Sequence, residues 1–270
     1  EPEATGESNA RWTGRVTMDT AGPNEKSRRG FVYSHVAVFG EDAFTDVSYS
    51  RKKSGVLAEV KEKLPLWNRE VGTKLSEFAC DRGGEYKNAR MDHVCAQWGM
   101  KRLYTAPDSS SGPAENKIRT LQNMSLACML WAAAPMAFWV DATEYCKTVT
   151  NYVPSASVRL EGKSPWEKRH TLHSWGCLAY AHVRKTERHR YSEKGRPAMF
   201  IGLPADGNDG FIFYDKVTSS TFVSKSAKFI EDTPYLLWLE KDELAKRRLI
   251  AHHGHSNPFV VAFRWRITAC

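Results

Sequence analysis

The sequence predicts an α/β fold: a mixed five-stranded sheet flanked by helices, followed by a small all-β domain. Two patterns indicate this arrangement. Strand-like and helix-like segments alternate from Arg15 to Tyr152, whereas short strand-like runs alone occupy the stretch from Trp175 to Phe229. Hydrophobic residues make up 41% of the 270 residues, which is enough for a buried core, so extensive disorder is not expected.

The first three strands are predicted to form an antiparallel meander, because residues 15–19, 31–39 and 44–49 are rich in β-branched and aromatic side chains. Apolar positions at helical spacing then predict an amphipathic helix over 54–70. The next predicted elements are a strand at 74–80, a helix at 89–100, a strand at 102–105 and helices at 114–134 and 136–152. This order of elements is typical of an RNase H-like fold.

A change of pattern from Trp175 onward predicts a second, basic region. Strand-like runs at 175–183, 198–203, 210–214 and 220–229 are separated by basic or Gly/Asp-rich turns, and a helix is expected at 235–249. The predicted division is a linker remnant at 1–10, an RNase H-like catalytic core at 11–155, a small basic β domain at 156–232 and a tail of uncertain structure at 233–270.

Charge and cysteine usage narrow the classes of function. The chain has 39 basic and 31 acidic residues, a formal charge of +8, which favours a polyanionic partner only modestly. The six cysteines form no C-x-x-C pair, so free thiols are expected. The longest apolar run, 126–140, is interrupted by Pro135 and is too short for a bilayer, so no membrane is expected. Because residue 1 is Glu, the sequence is expected to be a piece of a longer polyprotein.

Three acidic residues are candidates for a metal-dependent active site. Asp19 and Asp81 each close a predicted strand, and Glu115 lies at the start of a long predicted helix. Carboxylate oxygens are the ligands that Mg²⁺ prefers, and a pair of such ions suits phosphodiester chemistry. Taken singly, each residue is more often a turn, a cap or a solvated acid than a ligand.

Short sequence motifs that contain these three residues favour a catalytic role for them. The segment Asp81–Tyr86 (DRGGEY) resembles the hallmark segment of copia-type retrotransposon integrases, Met18–Pro23 (MDTAGP) resembles their first-aspartate motif, and Gly112–Leu121 (GPAENKIRTL) resembles their catalytic-glutamate helix. Further similarities are at 138–139 (FW), 163–167 (KSPWE), 175–180 (WGCLAY) and 200–202 (FIG). The resemblance extends over residues 14–232.

The resemblance implies a DDE-type integrase, a polynucleotidyl transferase that trims retroelement DNA ends and joins them to target DNA. It implies two Mg²⁺ or Mn²⁺ ions per active site, one shared by Asp19 and Asp81 and the other held by Asp19 and Glu115. It further implies a homo-multimer that acts on retroelement DNA ends and target DNA without a small-molecule cofactor. The expected location is the nucleus, preceded by a cytoplasmic particle.

Several basic and polar residues are candidates for DNA contacts. Arg119 and Gln122 share a helix face with Glu115, and Lys117 is a weaker candidate on the same helix. A basic run between two predicted strands could contact a DNA backbone through Arg184, Lys185, Arg188 and Arg190. An ordinary solvated surface explains both groups about as well.

Two other interpretations remain open. The loop before Glu115, residues 107–112, is slightly shorter than in the family, and Ser111 and Asn116 depart from its motif. These departures are compatible with an inactive integrase relic that serves as a nucleic-acid-binding or protein-interaction module. An RNase H-type nuclease would share the fold but would not account for the basic β domain.

Overall fold

A computed structural model describes most of the chain. The described residues are 14–40, 44–71, 74–104, 112–152, 171–184, 186, 189, 193–204 and 209–253, and the side chains of 70–71 and 245–253 are not described. The predicted linker at 1–10, the KSPWE motif and most of the loop at 107–112 lie outside these residues.

The first sheet contains the five strands predicted for the RNase H-like core. They are β1 (Arg15–Ala21), β2 (Tyr33–Phe39), β3 (Phe44–Ser50), β4 (Glu77–Cys80) and β5 (Lys101–Tyr104). Their spatial order is β3-β2-β1-β4-β5. The first three strands are antiparallel, whereas β4 lies parallel to both β1 and β5, so the sheet is mixed. The predicted fold class is confirmed for this sheet.

Four helices flank the first sheet in the predicted order. They are α1 (Val56–Val71), α2 (Ala89–Gln97), α3 (Pro113–Trp131) and α4 (Trp139–Tyr152). One-turn 3₁₀ segments precede α1 and α4, at Lys53–Gly55 and Met136–Phe138. Asn88 begins α2 as an N-cap, because its side chain accepts a hydrogen bond from the amide of Met91.

The first sheet is buried on both faces, which explains the nearly continuous apolar sequence of β2. Val36 and Val38 belong to a hydrophobic cluster with α3 and α4, while Ala37 and Phe39 belong to a second cluster with α1 and α2. Successive side chains of a strand point to opposite faces, so an alternating pattern would leave one face polar. The buried sheet therefore provides a rigid support for the residues at its ends.

The second sheet is entirely antiparallel, which confirms the predicted all-β region. Its strands are β6 (Cys177–His182), β7 (Gly195–Gly202), β8 (Phe211–Asp215), β9 (Ser220–Ser224) and β10 (Ala227–Pro234). Their order is β10-β6-β7-β8-β9. The single strand predicted at 220–229 is wrong, because this stretch forms two strands that pair with different partners, β9 with β8 and β10 with β6.

The predicted C-terminal helix is present as α5 (Tyr235–His253), which contacts β6, β7 and β10. None of the five cysteines within the described residues forms a disulfide bond, as the spacing predicted. None of the helices described in this structure is long and apolar enough to cross a membrane. The domain limits proposed from the sequence remain predictions.

Candidate active site

Two of the three candidate carboxylates lie on, or directly after, neighbouring parallel strands. In the parallel pair of β1 and β4, Thr17 lies opposite Ala79. Asp19 lies two residues beyond Thr17 within β1, and Asp81 lies two residues beyond Ala79, directly after β4 ends. The prediction that Asp19 closes its strand is wrong, because β1 continues to Ala21 in its pairing with β2. Asp19 is partly buried and Asp81 is exposed. Adjacent parallel strands are about 4.8 Å apart, so Asp19 and Asp81 lie in the same region of the sheet.

Glu115 approaches the same region from α3, where it lies in the first turn. The pKa of Asp19 is raised above its ordinary value, mainly because burial disfavours the charged form, and also because Asp81, Glu115 and Glu85 repel it. The amide of Thr20 partly opposes this shift, since it donates a 2.7 Å hydrogen bond to Oδ1 of Asp19. Asp81, Glu115 and Glu85 therefore each lie close enough to Asp19 to repel it, and these four carboxylates together are called the acidic group.

Each of the three predicted carboxylates also interacts with a group from its own segment. Oδ1 of Asp81 accepts a 2.9 Å hydrogen bond from the amide of Gly83, and Oε1 of Glu115 lies 3.6 Å from the guanidinium of Arg119. In the part of the chain that is described, no three His, Cys, Asp or Glu side chains are grouped closely enough to hold a metal ion. The donor chemistry fits Mg²⁺, whereas the described spacing is wider than a single ion requires.

The loop that carries Asp81 is attached to β1 beside Asp19. The side chain of Tyr86 is fully buried, and its hydroxyl lies 2.8 Å from Oγ1 of Thr20, the residue after Asp19. The guanidinium of Arg102 on β5 donates a 2.9 Å hydrogen bond to the carbonyl of Tyr86. These contacts fix the position of the loop relative to both strands. They also explain why an aromatic residue with a hydroxyl group suits position 86.

A buried polar chain continues from Thr20 into β2 and β3. Nδ1 of His35 lies 2.9 Å from Oγ1 of Thr20, and Nε2 lies 2.8 Å from Oγ of Ser50. Burial lowers the pKa of His35 to about 4, although Glu85 opposes this shift, so the imidazole is neutral at physiological pH. A neutral ring can accept at one nitrogen and donate at the other, which suits two hydroxyl partners.

A fourth carboxylate and a lysine adjoin the candidate site, and neither was predicted as a site residue. Oε1 of Glu85 lies 2.8 Å from Nζ of Lys53, and the side chain of Glu85 is only 8% exposed. Glu85 falls inside the DRGGEY motif, so the motif could have indicated it. Lys53 belongs to no motif, and its contact with Glu85 depends on the tertiary fold.

The structure distributes the predicted DNA-binding residues unevenly. Arg119 and Gln122 are exposed on α3, on the face that carries Glu115, and Lys117 is partly buried. Arg184 is exposed just after β6, within the second sheet's region. Lys185, Arg188 and Arg190 lie outside the described residues.

Comparison with known proteins identifies the class to which the relatives of this chain belong. Residues 177–240 match the family described as retroviral polymerase SH3-like domain. The chain's homologues are retrovirus-related Pol polyproteins of copia-type transposons, which confirms the resemblance seen in the motifs.

Three of these relatives come from plants. The Pol polyprotein of transposon TNT 1-94 from Nicotiana tabacum is 28% identical over 225 residues, covering 80% of this chain and 17% of the relative. Those of transposons RE1 and RE2 from Arabidopsis thaliana are 24% and 26% identical, covering 62% and 59% of this chain. The matched region is 12% of the RE1 polyprotein and 11% of the RE2 polyprotein, so this chain corresponds to a small part of each.

Solved structures that resemble this chain include two from retroviruses. One is a simian T-cell lymphotropic virus intasome in complex with a PP2A regulatory subunit (TM-score 0.42, 12% identity, 80% of this chain and 77% of that one). The other is the catalytic core domain of BIV integrase (TM-score 0.40, 16% identity, 58% of this chain and 97% of that one).

Proposed function

We propose that this chain is the catalytic core and following β domain of a retroelement integrase that trims DNA ends and joins them to target DNA. The observation that carries the proposal is the acidic group at one sheet edge. Asp19 lies on β1 and Asp81 directly follows the parallel neighbour β4, and both Asp81 and Glu115 are near enough to Asp19 to raise its pKa. Homology to retrotransposon Pol polyproteins supports it independently of the geometry.

Asp19, Asp81 and Glu115 would hold two divalent ions, Mg²⁺ or Mn²⁺. When bound, such ions would activate the attacking oxygen, from water or a DNA 3′-hydroxyl, and stabilise the leaving oxygen. The chain's own residues would orient the ligands. The Thr20 amide holds one oxygen of Asp19, while Tyr86 and Arg102 fix the loop that carries Asp81. Glu115 would exchange its weak, exposed ion pair with Arg119 for a metal ligand role at little cost.

The partners of this activity would be retroelement DNA ends and target DNA, bound by a homo-multimer that acts in the nucleus. Arg119 and Gln122 would contact DNA next to Glu115, with Lys117 as a weaker contact. Arg184 and the neighbouring Lys185, Arg188 and Arg190 would add backbone contacts from the β domain. The positive net charge of +8 is consistent with a polyanionic ligand.

The test is a strand-transfer assay with retroelement DNA ends in Mg²⁺ or Mn²⁺. Asp81→Asn should reduce the rate by at least about 10-fold, because loss of an outer partner of a metal site costs about 10- to 100-fold and loss of a ligand costs no less. Asp232→Asn, which changes an exposed carboxylate on β10, should retain the parental rate. Equal rates for the parent and Asp81→Asn would contradict the proposed function.

The second candidate is an inactive integrase relic that binds nucleic acid or protein. The wide spacing of carboxylates within the described residues is the observation that favours it. It predicts that the parent binds DNA but joins no strands in either metal, and that Asp81→Asn binds DNA as the parent does. A metal-dependent joining activity in the parent would exclude it.

A further inference from the structure

A row of basic residues lies on the same sheet edge as the acidic site. Arg51, Lys52 and Lys53 directly follow β3, and all three are exposed. Because β2 is antiparallel to both β1 and β3, the strands β1 and β3 run in the same direction. Their ends therefore lie at one edge. The basic row thus faces the same side of the molecule as Asp19.

Lys53 is held in place by a carboxylate of the acidic group. Nζ of Lys53 lies 2.8 Å from Oε1 of Glu85, and the two side chains are 49% and 8% exposed. A buried carboxylate requires a partner, so Glu85 holds the ammonium group at a fixed point while leaving it half open to solvent. An ammonium group has three N–H donors, and this bond uses one of them.

The backbone around Lys53 is tied to the residue beside Asp19. Oγ of Ser50 donates a 2.6 Å hydrogen bond to the carbonyl of Lys52, and the same Oγ bonds to His35, which bonds to Thr20. A β-carbon added at Gly55 would lie 2.6 Å from Cβ of Ser50, so the 3₁₀ turn packs closely on the end of β3. The basic row is therefore set at a defined position relative to the acidic site.

The negative charge of the acidic group explains why a neighbouring row of basic residues would help DNA to bind. Asp19 is repelled by Asp81, Glu115 and Glu85, so the sheet edge is strongly negative. Hydrogen bonding to Glu85, and attraction by Glu85, Asp81 and Asp19 together, raise the pKa of Lys53, so it stays charged. DNA phosphates would be repelled by the carboxylates, and a fixed cation at the rim reduces that repulsion.

We propose that Lys53, positioned by Glu85, binds a backbone phosphate of the DNA strand at the acidic site, with Arg51 and Lys52 contacting the phosphates next to it. This inference rests on the proposed function, because it assigns the DNA path into the same site. Lysine suits the role, since its compact ammonium group can bind a phosphate oxygen while it remains paired with a carboxylate.

The experiment measures the binding of mixed-sequence duplex DNA to the 270-residue chain as a function of salt, without divalent ions. Each phosphate contact contributes about 0.9 to the slope of log K against log salt. Lys53→Gln should make the slope shallower, lowering its magnitude by about one, whereas Lys53→Arg should preserve it. Lys61→Gln is the matched control, because Lys61 is an exposed lysine further along α1, and it should leave the slope unchanged.

The double variant K53Q/E85Q separates phosphate binding from simple charge balance. Lys53→Gln leaves Glu85 buried without its partner and should lower Tm, and the second change should restore Tm but leave the slope low. A slope in Lys53→Gln equal to the parent's, or a slope that recovers in the double variant, would overturn the inference. Binding without divalent ions does not depend on catalysis, so a chain that binds as expected but joins no strands contradicts only the proposed function.

Discussion

At the scale of single residues, Asp19 occupies an unfavourable environment that a cation would relieve. Its pKa is raised by burial and by three neighbouring carboxylates, so the folded chain binds a proton there more tightly than the unfolded chain does. Ionisation of Asp19 therefore opposes folding. The loss of stability develops as the pH rises from the unfolded-state pKa, about 3.9, through the raised folded-state pKa. Active sites commonly contain such strained charges.

Asp19→Asn should therefore raise the free energy of unfolding at pH 7. The amide oxygen of Asn can still accept the hydrogen bond from Thr20, while the charge is gone. Urea unfolding at several pH values should show that the gain shrinks as the pH falls and disappears below about pH 3.9, where both states of the parent are protonated.

Magnesium should make the parent more stable than Asp19→Asn, which reverses the order expected without the ion. Binding to the folded state stabilises the parent by mass action, and Asp19→Asn should respond much less because it lacks a central ligand. Asp232→Asn serves as the control for a lost surface carboxylate. A lower stability of Asp19→Asn than of the parent at pH 7, or an equal response of both to Mg²⁺, would show that Asp19 is not a strained ligand.

Sequence alone identified Asp19, Asp81 and Glu115, each of which lies in a recognisable motif. It missed Glu85, although that residue lies in the DRGGEY motif, and it missed Lys53, which belongs to no motif. Lys53, in the 3₁₀ turn before α1, meets Glu85 of the loop after β4 at 2.8 Å, although the two residues are far apart in the sequence. No local periodicity records a contact between residues so far apart in the chain, so only the structure could show it.

At the scale of secondary-structure elements, Gly176 marks the point where α3 meets the second sheet. Its φ is +83°, and a β-carbon there would lie 2.3 Å from Cβ of Ala132, which is fully buried at the end of α3. Its amide donates to the carbonyl of Phe200, and its own carbonyl accepts from the amide of Tyr235. Glycine is required here both for the backbone conformation and for the close approach.

Gly176→Ala should lower the free energy of unfolding by about 2–5 kcal/mol, the sum of the left-handed backbone cost and of overpacking. Chemical denaturation followed by fluorescence would measure it. Gly195→Ala is the matched control, because a β-carbon at Gly195 meets its nearest neighbour at an ordinary 3.5 Å. A loss below about 0.5 kcal/mol in Gly176→Ala would mean that α3 and β6 can move apart freely.

The order of elements in the core was predictable because each has a clear period and clear breaks. The prediction of a single strand at 220–229, where the structure has β9 and β10, shows where that reasoning fails. Residues 220–229 read as one run of strand-type residues, yet β9 and β10 occupy opposite edges of the second sheet. The break between Ser224 and Ala227 is set by which strands they pair with, and pairing is a long-range property that the run itself does not encode.

At the scale of the whole molecule, the two sheets share one hydrophobic core. A single cluster of buried side chains includes Val36 and Val47 from the first sheet, and Phe200 and Phe213 from the second. The ring of Phe138, just before α4, contacts Tyr214 of β8 with their centroids 5.0 Å apart. One hydrophobic cluster thus spans the predicted boundary between the core at 11–155 and the β domain at 156–232.

Arg28, in the loop between β1 and β2, contacts both α4 and the second sheet. Its guanidinium makes two hydrogen bonds to Asp141 of α4, of 2.6 and 3.0 Å, and lies over the rings of Phe138 and Tyr214. The side chain of Asp141 is only 8% exposed. Removal of the arginine would leave a buried carboxylate without its cation, a change that typically costs about 3–5 kcal/mol.

The shared core predicts that the chain unfolds in a single cooperative transition. Calorimetric and van't Hoff enthalpies should agree, and tryptophan fluorescence and far-UV circular dichroism should give the same midpoint. Arg28→Met should lower the free energy of unfolding by about 3 kcal/mol without splitting the transition, because the contact it breaks belongs to both sheets' common core. Arg90→Met, at an exposed position of α2, should leave the midpoint unchanged. Two resolved transitions, or an Arg28→Met effect confined to one of them, would mean that the second sheet folds independently and that its packing on α4 contributes little to stability.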